Sequence, residues 1–155
     1  MANDMGDYYF LKSKRDGDVV DVTGARTAAG TPVVAFPPNT PRTDNQLWGF
    51  VVSEKPPYLF ITVKQTGQVI DIDGASDVRG TALVTFPRKP TRTDNQLWML
   101  VPSDETYQYF FITSKLARGS VITLELDRQP DGTPLVIMPR RVSANSDQLW
   151  SLVTV

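Results

Sequence analysis

Short runs of apolar and β-branched residues, separated by polar turns, succeed one another along the chain in an order that repeats three times. The runs contain mainly Val, Ile, Thr, Phe and Tyr, and the turns contain Gly, Pro, Asp and Asn. This alternation is typical of strands joined by tight turns. The opening runs are YYFLKSK from Tyr8, YLFITVK from Tyr58 and YFFITSK from Tyr109; the second runs are VVDV, VIDI and VITLEL; the third runs are GTPVVAF, GTALVTF and GTPLVIM.

Each repeat ends with the tripeptide Gln-Leu-Trp. The heptapeptide RTDNQLW occurs at residues 42–48 and again at 92–98, and SDQLW at 146–150 nearly makes a third copy. The spacing from the Gly of each Gly-Thr pair to this Trp is the same in all three repeats. The sequence therefore predicts one structural unit present in three copies, with insertions confined to the turns.

The strand pattern predicts an all-β protein. Twelve prolines and ten glycines leave no window with a clean helical stripe of apolar residues. Four short strands per repeat give about twelve strands, and three repeats arranged around an axis can share a core that one repeat could not build. We therefore predict a β-trefoil, formed as a single domain over residues 1–155, with pseudo-symmetric repeats at about 8–52, 58–102 and 107–155.

The repeated Trp and Gln residues are predicted to be architectural. A Trp that closes every unit would pack around the central axis, with its indole N–H on a backbone acceptor. The Gln two positions earlier would satisfy polar groups near the turn. The residues concerned are Trp48, Trp98 and Trp150, with Gln46, Gln96 and Gln148.

Composition narrows the possible chemistry. The absence of Cys and His excludes disulfides, Ser-His-Asp and Cys-His catalysis, and the common zinc sites within this chain. A formal net charge of -1 with interspersed signs does not suit a nucleic-acid binder. The N-terminus does not resemble a signal peptide, and no segment approaches a membrane span. We expect a cytoplasmic, non-enzymatic protein without cofactor, metal or membrane insertion. The sequence does not decide between a monomer and a homodimer.

Some repeated polar residues are not needed for packing. An Asp within a strand is costly unless its carboxylate finds donors. A sugar supplies them, because a carboxylate accepts from vicinal hydroxyls, an amide donates and accepts, and an aromatic ring covers the apolar face of a pyranose. The alternative is structural: turn-forming Asp and Asn and core Phe. The candidate sugar-binding residues are Asp21, Phe36 and Asn45 in the first repeat and Asp71, Phe86 and Asn95 in the second; the third repeat has Thr123, Met138 and Asp147.

The third repeat has lost this trio although its Gly-to-Trp spacing is intact. A purely structural trio should have been kept with that spacing, so its loss favours a sugar-binding role in the first two repeats. The pattern GDVVDV…GTPVVAF…DNQLW resembles the repeat of the ricin-B-type, or R-type, β-trefoil lectins, over essentially the whole of residues 8–155. The Cys-free form is similar to intracellular fungal lectins of this type, among which defence against feeding animals is common. The resemblance implies that the two trios hold sugar and that Gln46 and Gln96 brace the Asp.

Departures from the family pattern affect the identity of the sugar. Val34 and Val84 stand where galactose binders of the family often carry Gln, and Phe36 and Phe86 replace the usual Trp or Tyr. The resemblance implies galactose or N-acetylgalactosamine (GalNAc), and N-acetylglucosamine or mannose preferences stay open. We expect the third repeat to be empty and the partners to be glycans or glycoconjugates.

The sequence is also compatible with three other functions. A β-trefoil protease inhibitor could use the loops FPPNTPRTD and FPRKPTRTD, with Arg42, Arg92 or Lys89 in a trypsin-like pocket. A glycosidase needs paired carboxylates, and the Asp residues of the two trios lie in different repeats. A subunit that has lost sugar binding could present the two Phe side chains to a protein partner.

Overall fold

Twelve β-strands run through the part of the chain that the structure describes. The computed structural model describes residues 7–125 and 129–155, and short 3-10 turns join several of the strands. No helix in this described part is both long and apolar enough to cross a membrane. The strands are β1 (Tyr9–Ser13), β2 (Val19–Val22), β3 (Val33–Phe36), β4 (Trp48–Val52), β5 (Leu59–Val63), β6 (Val69–Ile72), β7 (Leu83–Phe86), β8 (Trp98–Pro102), β9 (Phe110–Ser114), β10 (Ser120–Leu124), β11 (Thr133–Pro139) and β12 (Trp150–Thr154).

Six of the strands close into a barrel. The first and fourth strands of each repeat pair antiparallel in the order β1, β4, β5, β8, β9, β12 and back to β1. Closure leaves no unpaired edge in this layer. The Trp that begins each fourth strand lies opposite the first strand of its own repeat: Trp48 opposite Tyr9, Trp98 opposite Leu59 and Trp150 opposite Phe110.

The remaining six strands form three hairpins: β2–β3, β6–β7 and β10–β11. Neighbouring hairpins contact one another through the pair Thr133 and Ala35 and through bridges at Pro32–Val84 and Ala82–Val136. A six-stranded barrel with three hairpins is the predicted β-trefoil, so the fold prediction is confirmed, including its twelve strands.

One continuous apolar core joins the barrel to the hairpins. The three Trp side chains lie inside it and expose at most 1% of their surface. Their indole N–H groups donate to the carbonyl oxygens of Val20, Ile70 and Ile122 at 2.9, 3.1 and 3.1 Å. The predicted core role of the Trp residues is therefore confirmed, and each of them ties the barrel to the second strand of its own repeat.

Left-handed turns follow the second strand in two repeats. Gly24 and Gly74 have φ of 61° and 64°, and the Ala after each also has a positive φ. Glycine adopts this conformation without the steric cost that a Cβ brings. The turns at residues 23–25 and 73–75 therefore bend the chain sharply, so that it does not continue β2 or β6. The corresponding stretch of the third repeat includes residues 126–128, outside the described part.

Replacing Trp98 with Phe should destabilise the fold by about 2–4 kcal/mol, because it leaves a cavity and an unpaired carbonyl at Ile70. Urea denaturation followed by circular dichroism measures this loss. Val142→Ala is the control, since Val142 is 98% exposed and its truncation should change the free energy of unfolding by less than about 0.5 kcal/mol. Equal stability of the two variants would contradict the architectural role of the Trp.

Candidate functional site

Asp21 lies in the middle of β2, where all four residues are buried. It stands opposite Val34 of β3, and Phe36 lies two residues further along that strand. Because alternate residues of a strand share a face, Asp21 and Phe36 project to the same side of the hairpin. The Asp21 side chain is only 5% exposed. This burial raises the pKa of Asp21 to about 6, against the opposing effect of hydrogen bonds from Gln46 and Asn45.

The 3-10 turn at residues 44–46 brings two amides to this carboxylate. Gln46 Nε2 donates to Asp21 Oδ2 at 2.7 Å, and Asn45 Nδ2 is 3.4 Å from Asp21 Oδ1. Asn45 Nδ2 also donates to the Val22 carbonyl at 3.2 Å. The amide nitrogen of Asn45 is therefore engaged with the protein, and its carbonyl oxygen is the group that it can offer to a ligand.

Gln46 also holds the loop that follows β3. Its Nε2 donates to the Pro37 carbonyl at 3.0 Å, and its Oε1 accepts from the Asn39 backbone N–H at 2.8 Å. One fully buried amide thus connects β2, the turn before β4 and the loop after β3. The predicted bracing contact between Gln46 and Asp21 is present.

The carboxylate, the amide and the ring face one open cavity of about 450 Å³. This is within the size range of small-molecule sites. The structure therefore brings the first predicted trio together around a space that a small polar ligand can enter. The lining consists of Asp21, Phe36 and Asn45 with Thr23, Gly24, Ala25, Arg26, Asn39, Thr43, Pro130 and Asp131.

Several lining residues were not predicted from the sequence. Asn39 and Thr43 lie in the loop after β3, and the Asn39 Nδ2 donates to Thr43 Oγ1 at 2.7 Å. A comparison of the repeats could have marked position 39, which holds a different residue in each. Pro130 and Asp131 come from the hairpin of the third repeat, and their approach depends on the packing of the repeats, which the sequence pattern does not report.

The second repeat contains the same framework. Gln96 Nε2 donates to Asp71 Oδ2 at 2.9 Å and to the Pro87 carbonyl at 3.0 Å, and Asn95 Nδ2 donates to Asp71 Oδ1 at 3.0 Å. Phe86 is 39% exposed and shares the face of Asp71, because Asp71 stands opposite Val84, two residues before Phe86. Burial raises the pKa of Asp71, against the effect of the Gln96 hydrogen bond and the nearby positive charge of Lys89.

Lys89 distinguishes the second repeat from the first. Its ammonium group donates to Asn95 Oδ1 at 2.5 Å, which is the oxygen that the first repeat leaves to a ligand. Lys89 is the counterpart of Asn39, because its backbone N–H likewise donates to the Gln Oε1, at 3.0 Å. The two predicted sites therefore share a carboxylate and amides but differ in charge beside them.

The third repeat keeps the brace without the carboxylate. Gln148 Nε2 donates to the Pro139 carbonyl and lies 3.3 Å from Thr123 Oγ1. Arg141, at the position of Asn39 and Lys89, forms an ion pair with Asp147. A cavity of about 540 Å³ lies here, lined in part by Met138. It is lined by the Arg141–Asp147 ion pair and by the Met138 thioether. The first two repeats have a buried Asp and a Phe ring in the corresponding places.

Within residues 7–125 and 129–155, no three of the His, Cys, Asp and Glu side chains cluster as a metal site would require. Asp131 shares the first cavity with Asp21, but both oxygens of Asp21 lie at amide N–H groups. This arrangement holds the carboxylate as a hydrogen-bond acceptor.

The family described as ricin-type beta-trefoil lectin domain-like matches residues 1–86 and 44–138. No curated protein sequence matches the chain significantly.

Solved structures share the fold over nearly the whole chain. The designed three-fold symmetric protein ThreeFoil is 26% identical, with a TM-score of 0.82, over 96% of this chain and 99% of its own. The Macrolepiota procera ricin B-like lectin in complex with lactose is 21% identical, with a TM-score of 0.74, over 96% and 95%. The C-half of the earthworm R-type lectin in complex with GalNAc is 17% identical, with a TM-score of 0.73, over 96% and 99%.

The matched stretches of the family together cover most of the sequence, and the structural relatives show the same fold. The chain therefore belongs to the ricin-type β-trefoil lectin domain-like family.

Proposed function

We propose that this protein is a non-catalytic lectin that binds galactose- or GalNAc-type glycans through the sites of its first and second repeats. The observation that carries the proposal is the buried Asp21, held by two amides and open with Phe36 to one cavity. The carboxylate would accept from two sugar hydroxyls, the Asn45 carbonyl oxygen from a third, and the ring would cover the apolar face of the sugar.

Family membership and two structural relatives support the choice of sugar. The Macrolepiota lectin was solved with lactose and the earthworm lectin with GalNAc. Val34 lies opposite Asp21, is 6% exposed and does not line the cavity, so it supplies no hydrogen bond to a sugar. A site with a few hydrogen bonds and one ring typically reaches about millimolar affinity.

Two sites on one rigid body would make the protein multivalent. Each site uses residues of a different repeat, and the repeats are arranged around the barrel axis. Binding of two branches of one glycan could strengthen overall binding by about a hundredfold without a new contact. Cross-linking of glycoconjugates, seen as agglutination, is the activity that this geometry supports.

Removing both carboxylates should abolish glycan binding. We expect Asp21→Ala combined with Asp71→Ala to lose at least about tenfold in affinity at each site, because hydrogen bonds to a charged acceptor are lost. A glycan array carrying galactose, GalNAc, N-acetylglucosamine and mannose, read beside the wild type, measures the loss. Each single variant should bind free sugar at half the stoichiometry and agglutinate more weakly.

Two controls accompany this double variant. Asp77→Ala removes an exposed carboxylate and should bind like the wild type. Asp21→Asn with Asp71→Asn keeps the side-chain shape, so that loss of binding with retained circular dichroism reports on the loss of the charge and of one acceptor oxygen at each site. Undiminished glycan binding by the double Ala variant would overturn the site assignment. If the wild type binds no glycan on the array but inhibits a protease, the protein is a protease inhibitor and not a lectin.

Binding by the first repeat should weaken as the solution is acidified from pH 7 to pH 5. The pKa of Asp21 is raised to about 6, and only the ionised form accepts from two sugar hydroxyls. The ionised fraction falls about tenfold across this interval, so the association constant should fall by the same factor. Calorimetric titration of the Asp71→Ala variant isolates the first site, and a flat profile with the fold intact would contradict the role of Asp21.

A further inference from the structure

One position of the loop after the third strand makes the same backbone hydrogen bond in all three repeats but carries a different side chain in each. The backbone N–H of residue 39, 89 or 141 donates to the Oε1 of the buried Gln in its own repeat, at 2.8, 3.0 and 2.9 Å. The side chain at this position is Asn in the first repeat, Lys in the second and Arg in the third. It therefore changes the charge beside each candidate site, in addition to the charges of Arg26 and Asp131 at the first cavity.

The Lys89 ammonium group occupies the edge of the second site. It is 2.5 Å from Asn95 Oδ1, and its charge also acts on Asp71. Asn39 instead turns to Thr43 in the first repeat and leaves the Asn45 oxygen without a cation. A neutral sugar hydroxyl that donates to Asn95 must displace the ammonium group, whereas an anionic substituent offers that group a new partner.

Further cations share with Lys89 the lining of a cavity that does not include Asp71, Phe86 or Asn95 among its lining residues. This cavity, of about 470 Å³, is lined by Arg88, Lys89 and Arg92, with Glu54 as its acidic lining residue and with Lys55, whose ammonium group is ion-paired with Asp94. The Arg88 guanidinium lies 4.2 Å from the centre of the Phe60 ring, which leaves its N–H groups available at the edge. The loop sequence PRKPTR at residues 87–92 carries three cations where PPNTPR at 37–42 carries one.

Resting on the proposed function, we propose that the second-repeat site selects saccharides bearing an anionic substituent, a carboxylate or a sulfate ester. Lys89 is the counter-charge in this assignment, and the Arg88–Arg92 edge of the basic cavity accepts the rest of the charged group. The first-repeat site, with Asn39 in place of Lys89, takes the neutral sugar. The protein would then bind neutral glycan branches at its first-repeat site and anionic branches at its second-repeat site.

The test separates the two sites and exchanges the residue that distinguishes them. Asp21→Ala leaves only the second site, and Asp71→Ala leaves only the first. Each variant is titrated calorimetrically with galactose, galactose 6-sulfate, galacturonic acid and inorganic sulfate. Lys89→Asn is then added to the Asp21→Ala protein and Asn39→Lys to the Asp71→Ala protein, so that each site receives the residue of the other.

We expect the Asp21→Ala protein to bind the sulfated or the carboxylated sugar about fivefold to tenfold more tightly than galactose, since one charge-assisted hydrogen bond is gained. Lys89→Asn should reduce this ratio to about one, and raising the salt concentration should reduce it as well. Asn39→Lys should raise the ratio at the first site. Lys12→Asn, at an exposed position on β1, removes the same net charge and should leave the ratio unchanged.

Several outcomes would overturn the assignment. Equal binding of neutral and anionic sugars by the Asp21→Ala protein would do so, as would a Lys89→Asn variant that gains affinity for every sugar alike, since Lys89 would then only obstruct the site. Binding of inorganic sulfate as tightly as the sulfated sugar would reduce the basic cavity to a general anion site. If the Asp21→Ala protein binds none of the sugars while the Asp71→Ala protein still binds galactose, only this inference is wrong. If neither protein binds any sugar, the proposed function is wrong.

Discussion

A buried glutamine amide in each repeat is the interaction on which the rest of the structure depends. Gln46, Gln96 and Gln148 are fully buried, and each joins the second strand, the loop after the third strand and the turn before the fourth. A primary amide suits this place because it donates twice and accepts at the same time. Loss of any of these partners would leave a polar group unpaired in the core.

This constraint explains how a binding site can be superimposed on an architectural repeat. The two Nε2 hydrogens satisfy a Pro carbonyl and the residue at the centre of the second strand, whether that residue is Asp or Thr. The third repeat shows that the brace does not require the carboxylate. The brace therefore requires an acceptor at this position, which Thr123 supplies in the third repeat and a carboxylate supplies in the first two.

The buried carboxylates have an energetic cost. Burial raises the pKa of Asp21 from 3.8 to about 6, so the ionised form destabilises the fold at neutral pH. Because the folded-state value exceeds the unfolded one, this penalty is present above about pH 6 and is relieved as the pH falls toward 4. This destabilising contribution supports the proposal that the two Asp residues bind a ligand.

The sequence by itself determined the fold and the first members of each site. The spacing of Gly-Thr and Gln-Leu-Trp, with period-two apolar runs, predicted twelve strands in three units, because side-chain periodicity and turn chemistry are local properties. In-register comparison of the repeats marked Asp21, Phe36 and Asn45 and their second-repeat counterparts as residues that packing alone does not explain, and the same comparison could have marked position 39. Tertiary structure alone decided that Pro130 and Asp131 of another repeat border the first cavity and that the Lys89 ammonium group rests on Asn95. The packing of the repeats and the path of a loop bring the segments that make these contacts together. No local pattern in the sequence encodes the spatial separation of such segments.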